Sequence, residues 1–225
     1  MIRSLKGQRC CLVSSIRVIS LLFIEFNRLF GIINNMETRF IKIPGSDWEM
    51  CEHQVTQEEW YSVMGTNPSR FKGLQNPVET VSFFDCIKYI DKLNDTQIRY
   101  TYSLPTEKDW ETCASTCDKQ DIDSISWNYE NSGYRTHPVK TKLPNELGFY
   151  DMLGNVWEYV MECNCSFCHL FADIDSFHRA IRGGSWYNSA SYLRSSIRNR
   201  YEPGKSDYSL GFRLVRKLRV ATDSC

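Results

Sequence analysis

The polar and acidic positions of the chain mark three helix starts with one shared design. In residues 56–59, 82–85 and 106–109, a hydroxyl residue precedes an acidic residue by three positions. The hydroxyl can accept a hydrogen bond from an unpaired backbone N–H, and the acid favours the positive end of a helix. After the second of these helix starts, apolar residues recur at a spacing that places them on one face of a helix, which predicts an amphipathic helix. These residues are Phe83, Ile87, Ile90 and Leu93.

Strand signals in the sequence are short and scattered. Between them, Gly, Pro, Asn and Asp interrupt long stretches without regular periodicity, above all residues 113–139. Few helices, short strands and many loops indicate an irregular α+β domain with an aromatic interior. The runs that predict strands are residues 40–43, 48–50, 179–181 and 210–215.

Residues 1–35 differ in pattern from the rest of the chain. A basic start precedes a largely apolar run, but Arg17, Glu25 and Arg28 interrupt it, whereas a membrane span needs about twenty mostly uncharged residues. A disordered extension, a start of translation at Met36 or a degenerate export signal would each explain the pattern. We expect a domain over residues 36–219 and a tail at 220–225. A cytoplasmic location is favoured, and a surface or secreted one would follow if residues 1–35 act as a signal.

Composition and charge narrow the classes of function. The 27 basic and 27 acidic side chains give a formal net charge of zero. The chain therefore has no electrostatic footprint for nucleic acid and no charge bias toward a membrane surface. Its ten cysteines could form a disulfide framework, but such frameworks belong mainly to shorter secreted chains. Reduced thiols are the starting interpretation.

Several longer strings follow one another in a fixed order after residue 39. Together they resemble the formylglycine-generating enzyme family, also called sulfatase-modifying factors, over roughly residues 39–216. The resemblance implies a variant of the C-type lectin fold, with a small twisted antiparallel sheet, few helices and much irregular loop. The strings are VTQEEW (55–60), VMGTNPS (63–69), PVETVS (77–82), LPTEKDWE (104–111), GFYDMLGNVWE (148–158), RGGSW (182–186) and GFR (211–213).

Two of these strings contain residues for which we predict architectural roles. In RGGSW, Gly183 and Gly184 permit a close approach of backbone at the end of a strand, and Trp186 is expected in the core. Arg213 of GFR is expected to pair with a buried carboxylate, because a buried guanidinium without a partner is strongly unfavourable.

The segment GNVWE offers hard oxygen atoms in a tight turn. The amide oxygen of Asn155 and the carboxylate of Glu158 are ligand types that suit Ca²⁺, and the family resemblance implies calcium at this segment. Hydrogen bonding of the same two side chains to neighbouring loops is the alternative. The second calcium segment of the family would lie near residues 128–133, but it is abbreviated in this chain and is not carried over.

The enzymes of the family carry two cysteines shortly after the Gly-Gly-Ser string, where soft thiolates bind copper. The matching positions in this chain are Asn188 and Leu193, and neither side chain can be a thiolate ligand or a nucleophile. We therefore expect no copper, and formylglycine generation is the disfavoured alternative function. The four histidines show no paired ligand spacing such as His-x-x-x-His, which argues against the iron enzymes among the relatives.

Cys163, Cys165 and Cys168 form the remaining cluster of potential metal ligands. The arrangement Cys-x-Cys-x-x-Cys-His could supply soft ligands to zinc, and Cys113 and Cys117 could contribute. However, the spacing is not that of a standard zinc knuckle, so plain free thiols are the preferred interpretation.

Residues 186–209 have an unusual content of Tyr, Ser, Asn and Asp. Binding paratopes use such residues because Tyr gives a large amphipathic contact area at low entropy cost, while Ser and Asn adapt their hydrogen bonds. The segment resembles the variable region of diversity-generating retroelement target proteins, where adenine changes in Asn codons yield Tyr, Ser, Asp or Ile. This implies a non-catalytic protein that binds an unidentified protein or other macromolecule. The predicted ligand-binding residues are Tyr187, Asn188, Ser189, Ser191, Tyr192, Ile197, Asn199, Tyr201, Asp207 and Tyr208.

Two further interpretations stay open from the sequence. Residues 186–209 would be an ordinary polar loop of a non-catalytic domain, or the chain would be a loop-rich structural module stabilised by Ca²⁺. A near-copy of the DNA encoding residues 186–215, differing at adenines and close to the gene, would separate the display hypothesis from both.

Overall fold

The computed structural model describes residues 38–162 and 178–219. The helices are α1 (Gln57–Met64), α2 (Phe83–Thr96), α3 (Glu107–Ala114) and α4 (Ile122–Ile125), with 3₁₀ turns at Cys117–Lys119 and Ala190–Tyr192. The strands are β1 (Phe40–Lys42), β2 (Glu49–Cys51), β3 (Tyr100–Ser103), β4 (Trp157–Tyr159), β5 (Arg179–Arg182), β6 (Arg198–Tyr201), β7 (Leu210–Phe212) and β8 (Val215–Leu218).

The compact unit that contains these elements begins at Thr38. The predicted extension at residues 1–35 and the predicted tail at 220–225 lie outside the described residues. Within residues 38–162 and 178–219, no helix has the length and apolar character needed to cross a bilayer.

Each of the three predicted helix starts is confirmed. The N-cap hydroxyl accepts from the backbone N–H three residues later at 3.1–3.2 Å in every case. In α1 and α2, the carboxylates of Glu59 and Asp85 return a bond to the N-cap N–H and complete a capping box. Helix α1 ends at Gly65, which has the left-handed conformation that glycine adopts readily. The N-caps are Thr56, Ser82 and Thr106.

The buried face of α2 is rotated slightly from the predicted apolar stripe. Ile87 is half-buried, whereas Cys86 and Tyr89 are buried. The ring of Tyr89 stacks on Trp60 with the ring centroids 5.2 Å apart, and its edge meets Phe212 at 5.5 Å. Burial of this aromatic surface sets the rotation of the helix, because aromatic side chains dominate the packing energy of a core.

The strands of the described residues form two small sheets, one antiparallel as the family resemblance implied and one mixed. The first sheet has the order β1-β2-β8-β3 and is antiparallel throughout. The second has the order β6-β5-β4-β7, and its β4 and β7 run parallel. Few helices, short strands and long loops confirm the α+β class.

The run at residues 210–215 is two strands in different sheets, not one strand. At the crossing, the buried guanidinium of Arg213 donates to the carbonyl of Cys51, which ends β2 of the first sheet, at 3.1 Å. It also pairs with Glu158, on β4 of the second sheet, at 2.9 Å. This confirms that Arg213 pairs with a buried carboxylate, as predicted. It also explains the break between β7 and β8, because the Arg213 side chain bonds to both sheets at this point.

A hydrophobic cluster of the described residues lies between α3, the first sheet and the loop before β4. It packs Trp110 of α3 against Phe149 and Leu153 of that loop, and it includes Met50 of β2 and Val215 of β8. All five side chains are at most 2% exposed, so the loop before β4 is an internal part of the domain. Its burial holds in place the turn at Gly154 and Asn155, which follows directly.

Candidate functional site

The turn at Gly154 and Asn155 holds two surface loops against each other by backbone hydrogen bonds. The N–H of Gly154 donates to the carbonyl of Gly183 at 3.0 Å, and the N–H of Asn155 donates to the carbonyl of Trp127 at 2.8 Å. The carbonyl of Asn155 accepts from the N–H of Trp186 at 2.9 Å. The loop that starts at residue 127 and the loop that starts at residue 183 are thus both anchored to one turn.

A second set of contacts joins the same two loops nearer the surface. The N–H of Tyr129 donates to the carbonyl of Asn188, and the carboxylate of Glu130 accepts from the Ser189 hydroxyl and the Ala190 N–H, each at 2.9 Å. The bonds from Ala190 and Ser189 hold the pKa of Glu130 below its usual value. The carboxylate is therefore charged and in place at neutral pH.

Four exposed tyrosines lie on and beside these loops. Tyr187 is 60% exposed and Tyr134 is 59% exposed, while Tyr129 and Tyr208 are 43% and 36% exposed. Their rings connect through short centroid distances: 5.1 Å from Tyr129 to Tyr134, and 6.2 Å from Tyr129 to Tyr187. The buried Trp186 lies between Tyr187 and Tyr208, at 5.4 and 5.7 Å. We call the exposed rings of Tyr129, Tyr134, Tyr187 and Tyr208 the tyrosine surface.

One end of the tyrosine surface carries a cation. The guanidinium of Arg70 lies 4.9 Å from the ring centroid of Tyr208, within cation–π distance. Its neighbour Phe71 meets the edge of Trp186 at 5.4 Å. The segment before α2 therefore adds a positive charge to a face that is otherwise aromatic and hydroxylic.

The structure places the ten predicted ligand-binding residues in three classes of exposure. The exposed ones are Tyr187, Ser191, Tyr192, Asn199 and Tyr208, and the half-buried ones are Asn188, Ser189, Tyr201 and Asp207. Ile197 is only 6% exposed, so its place on a solvent-exposed face is wrong. Its N–H closes a turn onto the carbonyl of Arg194 at 3.0 Å, and the apolar side chain is withdrawn from water there.

Two of the half-buried residues stabilise local turns. The side-chain oxygen of Asn188 accepts from the N–H of Ser185 at 2.9 Å and from its hydroxyl at 3.0 Å. The carboxylate of Asp207 accepts from the N–H of Ser209 at 2.8 Å. Such Asx contacts fix the backbone of a loop, so these two side chains shape the surface as well as lying on it.

Strand β6 lies at one edge of the second sheet, and it carries two of the predicted residues. Asn199 and Tyr201 alternate with Arg198 and Arg200, so the two pairs lie on opposite faces of the strand. The arginines pair with Glu162 at 3.0 and 3.6 Å. One face of β6 is therefore an ion-pair network, and the other presents the Asn and Tyr side chains.

The sequence interpretation missed Tyr129, Tyr134 and Arg70. The string YENSGY (129–134) has the Tyr, Ser and Asn content that drew attention to residues 186–209, and this composition was the available signal. Arg70 gave no such signal, because only the fold brings it beside Tyr208.

The two residues of the predicted calcium segment have protein partners. The side-chain amide of Asn155 exchanges two hydrogen bonds of 3.1 Å with the backbone of His137. The carboxylate of Glu158 is paired with Arg213 and accepts from the indole N–H of Trp110 at 2.8 Å. These are contacts of the kind that the hydrogen-bonding alternative predicted, and calcium binding stays a prediction. Among the described residues, no group of three or more His, Cys, Asp or Glu side chains could hold a metal ion.

The glycines of RGGSW have the predicted close approaches. A Cβ on Gly183 would lie 2.7 Å from the carbonyl oxygen of Met152, and one on Gly184 would lie 2.2 Å from a methyl group of Leu193. Trp186 is 4% exposed, as expected. Leu193, at one of the copper-ligand positions of the enzymes, is thus a core residue that packs on a glycine.

The thiols of the described residues are buried. Cys51, Cys86, Cys113 and Cys117 are free and buried. Burial raises the pKa of the Cys113 thiol to about 12 and that of Cys117 to about 11, so neither provides a thiolate nucleophile at neutral pH. The predicted cluster of Cys163, Cys165 and Cys168 lies outside the described residues.

Asp151, just before the Gly154 turn, gives the site a pH dependence. One of its carboxylate oxygens accepts from the N–H of Lys140 at 2.9 Å, and the other has no partner among the described residues. Burial raises its pKa from 3.8 to about 6. Because the folded state holds this proton more tightly than the unfolded state, the contribution of Asp151 to stability falls as pH rises from about 4 to 6.

We expect Asp151→Asn to remove this loss. The Tm of the variant relative to that of the wild type should increase between pH 4 and pH 7, by the equivalent of up to about 3 kcal/mol. Thermal unfolding at several pH values, with Asp91→Asn on the exposed side of α2 as the control, measures the difference. A difference in Tm that stays constant over this range would contradict the expectation.

Comparisons with known proteins agree with this architecture. A family model for the sulfatase-modifying factor enzyme 1-like domain matches residues 33–218. The chaperone protein LppX of Paenibacillus barcinonensis is 28% identical over a 230-residue alignment, which covers 76% of this chain and 80% of that protein. The inactive C-alpha-formylglycine-generating enzyme 2 of Bos taurus is 25% identical over 185 residues, covering 71% of this chain and 56% of that protein.

A solved structure gives the same result for the fold. Treponema denticola variable protein 1 superimposes with a TM-score of 0.64 and 28% identity, covering 75% of this chain and 84% of that one. The predicted fold, a C-type lectin-like α+β architecture of the formylglycine-generating type with few helices and much loop, is confirmed.

Proposed function

From the premise that the chain belongs to the sulfatase-modifying factor enzyme 1-like family, we propose that it is a non-catalytic member that binds a protein or other macromolecular ligand. The ligand contacts the tyrosine surface together with the exposed residues Ser191, Tyr192 and Asn199. The observation that carries the proposal is the tyrosine surface itself: four neighbouring exposed rings, three of which lie on two loops that share one backbone anchor.

The rigidity of the loops supports binding rather than a passive surface. Tyrosines lose little conformational entropy on contact, and loops fixed before binding lose little more. Here the carboxylate of Glu130 accepts hydrogen bonds from the loop that starts at residue 183. The turn at Gly154 and Asn155 makes backbone hydrogen bonds to both loops on the interior side. The exposed rings are thus presented in one arrangement, as a binding surface needs.

The division between exposed and buried positions supports a surface whose residues can vary. Tyr187, Ser191 and Tyr192 are exposed, while Leu193 and Ile197 between the exposed positions are buried. A change at the exposed positions leaves the core intact, because surface substitutions away from special contacts cost little stability. The variable protein of Treponema denticola, similar in fold and sequence, favours the same interpretation.

The two positions that match the family's copper-binding cysteines carry no thiol in this chain. The two positions of the copper-binding cysteines are Asn188, which caps a turn, and Leu193, which fills the core. Neither has a thiol to bind copper or to bond to a substrate cysteine. The bovine relative, whose name describes it as inactive, is compatible with a non-catalytic role in this family.

The neighbouring DNA tests the display proposal. We expect a near-copy of the sequence encoding residues 186–215 near the gene, beside a reverse transcriptase. The differences between this copy and the gene should fall at adenines in the codons of the exposed residues. Comparison of the codons of Leu193 and Ile197, which are buried, shows whether the variation also includes core positions. Absence of any such copy would leave an ordinary polar loop as the better explanation.

An activity assay tests the non-catalytic part separately. Incubation of the protein with Cu(I), oxygen and a cysteine-containing sulfatase peptide should leave the mass of the peptide unchanged. An active formylglycine-generating enzyme under the same conditions is the positive control. Loss of mass at the peptide cysteine would overturn the proposal, whatever the neighbouring DNA contains.

A further inference from the structure

Gln54 is fully buried in the interior of the domain, and its carboxamide nitrogen lies inside a shell of oxygen atoms. Three of these are backbone carbonyl oxygens, and the fourth belongs to a carboxylate. The distances from the nitrogen are 3.1 Å to Asp151 O, 3.4 Å to Gly154 O, 2.9 Å to Val156 O and 3.0 Å to Glu158 Oε1.

The composition of this shell is that of a hard-cation site. Calcium in proteins takes backbone carbonyl and carboxylate oxygens, and one tight turn often supplies several of them. All four oxygens here come from residues 151–158, which include the segment 154–158 for which the family resemblance implied calcium. The point that a cation would occupy holds a neutral nitrogen that donates hydrogen bonds.

We propose that the carboxamide of Gln54 takes the place of a cation at this turn, so that residues 151–158 keep their fold without Ca²⁺. The distances favour this assignment. Separations of 2.9–3.4 Å suit N–H···O contacts, whereas Ca²⁺ binds its oxygen ligands at about 2.3–2.6 Å. As arranged around the amide group, the shell is therefore wider than the oxygen shell of a bound Ca²⁺ ion.

Charge in the shell also favours the amide. The carboxylate of Glu158 is already neutralised by Arg213, and both side chains are 0% exposed. A Ca²⁺ ion beside Glu158 Oε1 would add two positive charges next to a buried guanidinium, where low dielectric makes repulsion strong. The carboxamide supplies donors without adding charge.

The orientation of the amide follows from the same shell. The side-chain oxygen of Gln54 is buried and has no partner among the described residues, which is unfavourable by itself. The reversed orientation would place that oxygen against four others, which is worse, since no donor would remain among them. The retained orientation satisfies as many carbonyls as two N–H groups allow.

The first test is the response of the wild-type protein to calcium. We expect the same Tm in millimolar Ca²⁺ and in EGTA, and no binding isotherm when Ca²⁺ is titrated by calorimetry. A bound ion would instead raise the Tm with its concentration, because a ligand of the folded state stabilises it. A fall of Tm in EGTA, or a measurable isotherm, would overturn the proposal.

Substitution of Gln54 tests the role of the nitrogen. Gln54→Met keeps the volume but removes the donors, and we expect its Tm to fall by about 5–10 °C. The exposed Gln75→Met is the matched control and should leave Tm unchanged. An unchanged Tm in Gln54→Met would count against the proposal.

A third variant asks whether the shell can accept an ion once the amide is gone. Gln54→Glu places a second carboxylate beside Glu158, and we expect a lower Tm that millimolar Ca²⁺ raises again, while the wild type does not respond. No recovery with Ca²⁺, including failure to fold in its presence, would show that the shell is not equivalent to a cation site. That outcome would overturn the replacement of an ion by Gln54.

Discussion

Replacing Arg213 with Met should lower the free energy of unfolding by about 3–5 kcal/mol, because it leaves the buried carboxylate of Glu158 without an opposite charge. Arg213 donates to both oxygens of Glu158 at 2.9–3.3 Å and to the carbonyls of Cys51 and Tyr150. These contacts join the two sheets, so few other groups can move to replace them. The corresponding fall in Tm is about 6–20 °C for a domain of this size.

Thermal or urea unfolding of the variant measures this loss, and two further variants identify its origin. Arg200→Met removes an exposed guanidinium that lies 3.6 Å from Glu162, and it should cost at most about 1 kcal/mol. Adding Glu158→Gln to Arg213→Met should recover part of the loss, since the buried charge is gone. Equal stability of the Arg213 and Arg200 variants would show that the buried pair contributes little.

Local signals in the sequence were sufficient for the helices. A hydroxyl at the N-cap and an acid three residues later act over a single turn, so Thr56, Ser82 and Thr106 could be identified without knowledge of the fold. The end of α1 at Gly65 is equally local. The resemblance of ordered strings to a known family then supplied the C-type lectin-like fold, which local patterns alone do not specify.

The sheets could not be predicted in the same way, because their strands pair over long distances in the sequence. Residues 210–215 look like one apolar strand, yet Arg213 divides them between two sheets by reaching Cys51 and Glu158. Nothing within those six residues shows that they divide between two sheets. The sequence did indicate a buried carboxylate partner, but not that the partner and the arginine lie at the junction of the sheets.

The residues of the candidate site also differ in whether the sequence could identify them. Composition identified Tyr187 and Tyr208, because Tyr and Ser cluster there in the chain. It placed Ile197 on the surface as well, since composition does not report which way a side chain points. The content of residues 129–134 was a signal for Tyr129, but only the fold shows that it lies beside Tyr187, about sixty positions away. Arg70 joined the site through the fold alone, which brings it beside Tyr208, about one hundred and forty positions away.

Gly154→Ala should be among the most damaging single substitutions in this protein. The backbone of Gly154 has φ +81°, which an L side chain rarely adopts, and a Cβ would lie 2.3 Å from the carbonyl oxygen of Trp127. That atom is backbone and cannot rotate away. We expect a loss of about 3–5 kcal/mol, the sum of backbone strain and overpacking. The clash would displace the carbonyl of Trp127, which also accepts the hydrogen bond from the Asn155 N–H. This hydrogen bond anchors one loop of the tyrosine surface.

Gly133→Ala separates the two causes, because Gly133 also has a positive φ, of +60°, but open space where a Cβ would stand. It should cost only the strain, about 1 kcal/mol. Chemical denaturation of both variants gives the difference, and hydrogen exchange at the Asn155 N–H reports whether its bond to Trp127 is lost. If the two variants lose the same stability, the close approach to Trp127 is not what requires glycine at 154. If exchange at Asn155 accelerates only in Gly154→Ala, the anchor of the tyrosine surface depends on that approach.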